Sequence, residues 1–222
     1  METVDELTGT EGGVWRVTTL GSSHIVNLMR GTVTRIPGAG RESTFNDVER
    51  PLRTLDACKV GEVGRWTMVS DDYLTDFYWH RTSTIQRIER LTGLELGKAN
   101  TEVMLQNIAA SDGLNTVSQV AEMLGECDER VHQMFGADQL IGFAWKDELV
   151  FPGCQFGPDH DEVAAFVQPL IAAAAEFNYS LLTLTLWLNS PTTYFDGARP
   201  VTFVDDPEML VAAFRAHAGV EW

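Results

Sequence analysis

The chain has 222 residues, of which 44% are hydrophobic and 22% charged, so its composition is that of a globular protein with a sizeable buried core. Its formal net charge is −16, and the charge is unevenly placed: residues 1–98 carry 12 Lys/Arg and 14 Asp/Glu, whereas residues 99–222 carry 4 and 18. The second half therefore predicts a surface that repels phosphate backbones and attracts basic partners.

Several classes of protein are not expected. The two most apolar stretches, 163–175 and 181–188, are far shorter than the roughly 20 residues of a membrane span. The acidic N-terminus lacks the pattern of a signal peptide, so we expect a cytoplasmic location and no membrane. The three cysteines include no Cys-x-x-Cys pair, and they predict neither disulfides nor a metal site. The five histidines fall in no catalytic motif, so neither an enzyme nor a cofactor is predicted.

Residues 13–92 predict a small antiparallel β-domain. Alternating β-branched and aromatic residues predict strands at 15–19, 24–28 and 32–36, with two more at 64–70 and 82–90. Residues 41–53 are predicted to form a polar loop. The stretch Trp15–Ile36, with its Trp-Arg-Val-Thr-Thr and Thr-Val-Thr-Arg sequences, resembles a small β-domain of uncharacterised bacterial and phage proteins. That resemblance implies no activity.

Aromatic residues are dense between the last two predicted strands, where Tyr73, Phe77, Tyr78 and Trp79 occur within seven positions. Two interpretations stay open for this cluster. It could form a contact patch for a partner, or it could plug an open edge of the small sheet.

Residues 99–150 predict two helices and a hairpin after an initial helix at 99–112. Thr116 is a good N-cap for a helix at 117–124, Gly125 ends that helix, and a second helix begins at Asp128. Two strands, 141–145 and 148–151, follow around Lys146 and Asp147. This order, with the signature Val-Ala-x-x-Leu-Gly, resembles a winged helix-turn-helix of the excisionase type.

In DNA-binding members of that class the second helix enters the major groove. Its first turn here, 126–129, carries three carboxylates, which makes nucleic-acid binding doubtful. The candidate DNA contacts are Arg130, His132 and Gln133.

Residues 151–222 predict a helical domain. Its motifs are Phe-Pro-Gly-Cys-Gln-Phe at 151–156, Trp-Leu-Asn-Ser-Pro at 187–191, Gly-Ala-Arg-Pro at 197–200 and Asp-Pro-Glu-Met-Leu at 206–210. In that order they resemble the antitoxin/Xre/MbcA/ParS family, which implies a toxin-binding domain behind a helix-turn-helix. The apolar patterns predict helices at 162–175 and 181–188, with Phe156 and Trp187 in the core, and acidic residues before a last helix.

We therefore expect an α+β protein in which a small antiparallel β-sheet domain precedes a mainly helical domain with a winged helix-turn-helix-like element. The predicted function is non-catalytic and antitoxin-like: the helical domain binds and neutralises or regulates a partner protein, and a basic, toxin-like protein is the candidate partner. A sequence-specific DNA-binding regulator is the alternative, and homo-oligomerisation stays open. The candidate partner-binding residues are Trp187, Tyr194, Phe195, Arg199, Asp205, Asp206 and Glu208. Equally, Tyr194 and Phe195 could seal the helical bundle while the acidic residues cap its last helix.

Overall fold

The computed structural model describes residues 2–38, 44, 47–72, 74–157 and 161–219. The chain forms two compact units, Met1–Asn107 and Ile108–Trp222. The first unit is built on a six-stranded antiparallel sheet, and most of the second is helical. The predicted α+β class, with the β-domain first, is confirmed.

Six strands form the first unit, and they close into an antiparallel barrel in chain order. The strands are β1 (Val14–Thr19), β2 (Ser22–Asn27), β3 (Thr32–Pro37), β4 (Arg50–Ala57), β5 (Val63–Val69) and β6 (Phe77–Arg90). Closure depends on the length of β6, which has 14 residues. The first part of β6 pairs with β5, and its last part pairs with β1.

The barrel core holds large apolar side chains that alternate along the strands, including Trp15, Val17, Trp66 and Ile88. The N-terminal segment adds to this core. Leu7 is buried, and its amide donates to the carbonyl oxygen of Cys58 at 2.9 Å. The segment before β1 is therefore part of the fold.

Two predicted boundaries in this unit are wrong. The stretch 41–53, predicted as a loop, contains the start of β4, although residues 41–43, 45 and 46 lie outside the described part. The last strand begins at Phe77 rather than Thr82, so it takes in Tyr78 and Trp79. Strand β4 was not predicted because bulges at Arg53 and Asp56 break the two-residue alternation by which a strand is recognised.

A long helix, α1 (Gly93–Ser111), follows the barrel and begins six residues before the predicted start at 99. Ala99 and Val103 pack with Val14, Ile25 and Leu91 of the first unit. The predicted module boundary between 92 and 99 coincides with the beginning of this helix, whereas the compact units divide inside it, after Asn107.

The second unit begins with a three-stranded sheet and two helices. These are β7 (Leu114–Thr116), α2 (Val117–Leu124), α3 (Asp128–Gly136), β8 (Phe143–Trp145) and β9 (Glu148–Pro152), with sheet order β7-β9-β8. Thr116 forms a capping box with Gln119, and Gly125 takes the left-handed conformation that ends α2. Lys146 and Asp147 both have positive φ, as a two-residue hairpin turn requires. The predicted helices and hairpin are present, and the structure adds one strand that was not predicted, β7.

Gln155 lies in the short 3₁₀ turn Gly153–Gln155 and is fully buried. Its side-chain oxygen accepts from the amide of Ile141 at 2.7 Å, and its side-chain nitrogen donates to the carbonyl of Ile141 at 2.8 Å and to that of Pro152 at 3.1 Å. The amide group therefore completes the hydrogen bonding of buried backbone. Beside it, a methyl group on Gly153 would overlap the carbonyl oxygen of Asp112.

Three helices complete the second unit: α4 (Val167–Glu176), α5 (Leu181–Asn189) and α6 (Pro207–Ala218). Helix α4 begins five residues after the predicted start at 162. Trp187 and Phe156 are both 6% exposed, which confirms their predicted place in the core. In the described part of the chain no single helix is long and apolar enough to cross a bilayer. Helices α4 and α5 together have the required length and apolarity, but the chain bends by 115° between them.

Candidate functional site

Two of the predicted partner-binding residues lie inside the second unit. Trp187 is 6% exposed and packs edge-on against Phe214, with ring centroids 5.0 Å apart. Phe195 is 7% exposed and stacks on Phe203 at 4.5 Å. Their burial takes both rings out of the candidate contact surface, because they fill the core that α4, α5 and α6 share.

Tyr194, in contrast, is 43% exposed although its neighbour Phe195 is buried. Its ring lies 6.5 Å from the imidazole of His217 on α6, in an edge-to-face arrangement. The turn that carries it is closed by hydrogen bonds: the amides of Thr192 and Gly197 donate to the carbonyls of Ala198 and Thr192 at 3.1 and 3.0 Å. Tyr194 is thus an exposed ring on an ordered turn.

Acidic side chains surround the start of α6. The carboxylate of Asp206 accepts from the amide of Met209 at 3.0 Å and so caps the helix, as predicted. Asp205 and Glu208 are exposed, and neither forms an ion pair with any described residue. Arg199 is also exposed. We name five exposed residues of the segment 194–209 the C-terminal surface: Tyr194, Arg199, Asp205, Glu208 and Met209.

An apolar groove lies next to part of this surface. It has a volume of about 300 Å³ and runs between α4 and the first turns of α6. Its lining includes Pro169, Pro207 and Val211, with Glu208 and Arg215 as the charged members. Arg215 forms an ion pair with Glu176 at the end of α4, at 2.6 Å.

The candidate DNA-binding residues lie together on one exposed side of α3. Arg130, His132 and Gln133 are exposed, whereas Val131 is buried. Carboxylates precede them: Glu126, Asp128 and Glu129 are exposed, and Asp128 accepts from the hydroxyl of Ser118 at 2.9 Å. Cys127, the N-cap residue of α3, is exposed and its side chain makes no capping hydrogen bond. A major groove would therefore meet three carboxylates at this end of the helix.

Sequence reasoning missed a buried polar cluster inside the barrel. His24 is almost completely buried, and its ring lies 5.0 Å from that of Trp66 and 5.1 Å from that of His80. Nearby, Arg35 and the buried Asp47 form a 2.6 Å ion pair. Burial, followed by the charges of His80 and Arg35, lowers the pKa of His24 well below its usual value; burial also lowers the pKa of His80. These residues come from four different strands and, for Asp47, from the segment before β4, so no local motif could have revealed them.

The structure also decides in part between the two interpretations of the aromatic cluster near the start of β6. Tyr73 lies outside the described residues. Tyr78 is half-buried and its hydroxyl donates to Asp71 at 2.8 Å. Phe77 and Trp79 are 40% and 68% exposed although both lie in a strand that is paired with β5. Those two rings face outward and do not plug an unpaired edge.

No three His, Cys, Asp or Glu side chains are grouped to hold a metal ion within the ranges that the structure describes.

Comparison with known proteins identifies no family. No protein-family model matches the chain, and no curated protein matches it. An NMR structure of Rv2175c is similar to part of it, with 20% identity and a TM-score of 0.44 over 49% of this chain and 82% of that chain. A similarity of this size carries no functional argument.

Proposed function

We propose that the second unit is a non-catalytic, antitoxin-like binding module that holds a basic partner protein through the C-terminal surface. The observation that carries the proposal is the exposed ring of Tyr194 on an ordered turn, in a unit whose exposed Asp205 and Glu208 form no ion pair with any described residue. Tyrosine and arginine dominate the energetics of protein interfaces, and Tyr194 and Arg199 supply one of each.

The negative charge of this surface favours basic partners over acidic ones. Residues 99–222 carry 18 Asp/Glu against 4 Lys/Arg, and the exposed Asp205 and Glu208 add to the negative potential of the C-terminal surface. Such a field speeds the association of a basic partner and slows that of an acidic one. The neighbouring apolar groove offers a place for an apolar side chain of the partner.

The test is affinity capture from the native host, with the full chain as bait and identification of the co-eluting protein. The double variant Tyr194→Ala/Arg199→Ala is expected to weaken the captured complex by about 30-fold or more, the loss of a hot spot. Tyr194→Phe, which keeps the ring, should retain most of the affinity. Affinity should also fall with added salt.

The control is His132→Ala, a change of an exposed residue on α3 that is not a member of the C-terminal surface. Equal capture of a basic protein by the double variant and by this control would remove the C-terminal surface from the proposal. Capture of no basic protein by the unchanged chain would contradict the function itself.

Duplex DNA binding is the second candidate, because the helices α2 and α3, the hairpin and the exposed Arg130, His132 and Gln133 form a suitable frame. The three carboxylates at the start of α3 oppose it. A gel shift at low salt with duplex DNA tests it, and Arg130→Ala should abolish any shift that α3 produces.

A further inference from the structure

The outer side of β5 and β6 carries arginines and aromatic rings in register. Arg65 is paired directly opposite Arg81, Thr67 opposite Trp79 and Val69 opposite Phe77. The intervening residues Trp66, Met68 and His80 turn inward. From β4, Arg53 reaches the ring of Phe77, with its guanidinium carbon 4.8 Å from the ring centroid. We name Arg53, Arg65, Phe77, Trp79 and Arg81 the outer face; all five are exposed.

The three arginines of the outer face lack the partners that other arginines of the barrel have. Within the described ranges, no carboxylate lies within 4.0 Å of Arg53, Arg65 or Arg81, and the exposed Asp56 and Asp76 nearby form no ion pair with them. Elsewhere on the strands, carboxylates lie 2.6–3.3 Å from Arg16, Arg35, Arg50, Arg87 and Arg90.

The opposed pair is unfavourable in the free protein. Like charges directly across an antiparallel pair destabilise it, and here Arg65 faces Arg81 with no described acid to offset the repulsion. An anion between the two guanidinium groups would remove the repulsion and accept hydrogen bonds from both. Phosphate suits this geometry because arginine presents a planar fork of donors.

The two rings add a second requirement on the ligand. Phe77 and Trp79 are two positions apart on one side of a strand, and so about 7 Å apart along it. Exposed rings on the outside of an antiparallel sheet are platforms on which unstacked bases lie. A duplex keeps its bases stacked inside and could not use these rings, whereas a single strand could use rings and cations together.

We propose that the outer face of the first unit binds single-stranded nucleic acid, with Phe77 and Trp79 stacking on bases and Arg53, Arg65 and Arg81 contacting phosphates. The proposal is independent of the partner-binding function, which rests on the second unit. The net charge of −16 is carried mainly by residues 99–222, whereas residues 1–98, which include the whole outer face, carry 12 Lys/Arg and 14 Asp/Glu and so have a formal net charge of only −2.

The experiment is fluorescence anisotropy of the full chain with a labelled 12-nucleotide oligothymidylate or oligouridylate, and with a duplex of equal length. The single strands should bind more tightly than the duplex. Trp79→Ala should weaken single-strand binding by about 5- to 100-fold, the usual cost of one lost stack, and Trp79→Phe should restore most of it. Since Trp79 is exposed, the melting temperature should hardly change.

Salt provides a second readout. Replacing Arg65 and Arg81 by glutamine should lower the slope of log affinity against log salt by about 1.4, the value for two phosphate contacts on a single strand. Arg87→Gln, which removes one positive charge from an arginine paired with Glu89, is the control and should leave the slope unchanged.

Three results would overturn the proposal: no oligonucleotide binding at low salt, single-strand binding that neither Trp79→Ala nor the Arg65/Arg81 variant alters, or tighter binding of duplex than of single strand. Polyglutamate serves as the competing probe. If it binds through Trp79 and the oligonucleotides do not, the outer face is a docking site for an acidic protein.

Discussion

At the scale of one residue, Gln155 shows how the second unit satisfies the hydrogen bonding of buried backbone next to its small sheet. The side-chain amide satisfies both backbone groups of Ile141 in a fully buried place. Gln155→Leu keeps the size of the side chain and leaves those groups without partners, so we expect a loss of about 3 kcal/mol in the free energy of unfolding. Urea denaturation measures this loss.

Gln133→Leu is the matched control, because Gln133 is exposed on α3, and its cost should stay within about 0.5 kcal/mol. Similar midpoints and slopes for the two variants would mean that the amide of Gln155 is dispensable.

His24 predicts a dependence of stability on pH. Its pKa in the folded chain is lowered by burial and then by the charges of His80 and Arg35. A group whose folded pKa is below its unfolded pKa stabilises the fold above the unfolded value, about 6.5, and this stability is lost as the pH falls below it. Equilibrium unfolding between pH 7 and 5 should show a loss of up to about 1.4 kcal/mol per pH unit from this residue.

His24→Gln should remove that part of the pH dependence, whereas His132→Gln, at an exposed position, should leave it. An unchanged slope in His24→Gln would assign the acid sensitivity to other groups.

At the scale of elements, α2 depends on local signals at both ends. Thr116 accepts from the amide of Gln119, and Gln119 accepts in return from the amide of Thr116 at 2.8 Å. Thr116→Ala removes one half of the capping box and should cost about 1 kcal/mol in thermal or urea unfolding. Glu122→Ala, on the exposed side of the same helix, is the comparison and should cost less. The reverse order would show that packing alone holds α2.

Locality also explains which elements the sequence could predict. The caps of α2 and the turn at Lys146 and Asp147 depend on residues that are close in sequence. The ends of the helices and of the hairpin within residues 117–151 were therefore predicted to within a few residues. Strand β4 was missed because its bulges disrupt the alternation that identifies a strand. Closure of the barrel rests on β1 pairing with β6, about 70 residues away, for which no local pattern exists.

The candidate sites also contain some residues that local sequence patterns could predict and others that they could not. The cap at Asp206 and the core position of Trp187 follow from local pattern, and both were predicted. The exposure of Tyr194 and the burial of Phe195 depend on which side of the turn faces α6 and Phe203, and residue type alone cannot decide this. The pairing of Arg65 with Arg81 required the register of two strands.

At the scale of the whole molecule, the chain consists of two compact units with separate cores. We expect fragments 1–111 and 112–222, divided just after α1, to fold separately and to show cooperative melting by circular dichroism. The combined spectra of the fragments should reproduce that of the full chain. A fragment that is unfolded alone and folds on addition of the other would show that the units are not independent.

The exposure of Cys127 has a practical consequence, because the other two thiols cannot compete with it. Burial raises the pKa of Cys58 and of Cys154 to about 12, so at neutral pH both thiols stay protonated; Cys58 is also buried, and Cys154 is half-buried. A maleimide fluorophore should therefore modify the native chain once, at the turn between α2 and α3. The unaltered protein thus carries its own attachment point for a reporter, at the start of the helix that holds the candidate DNA contacts.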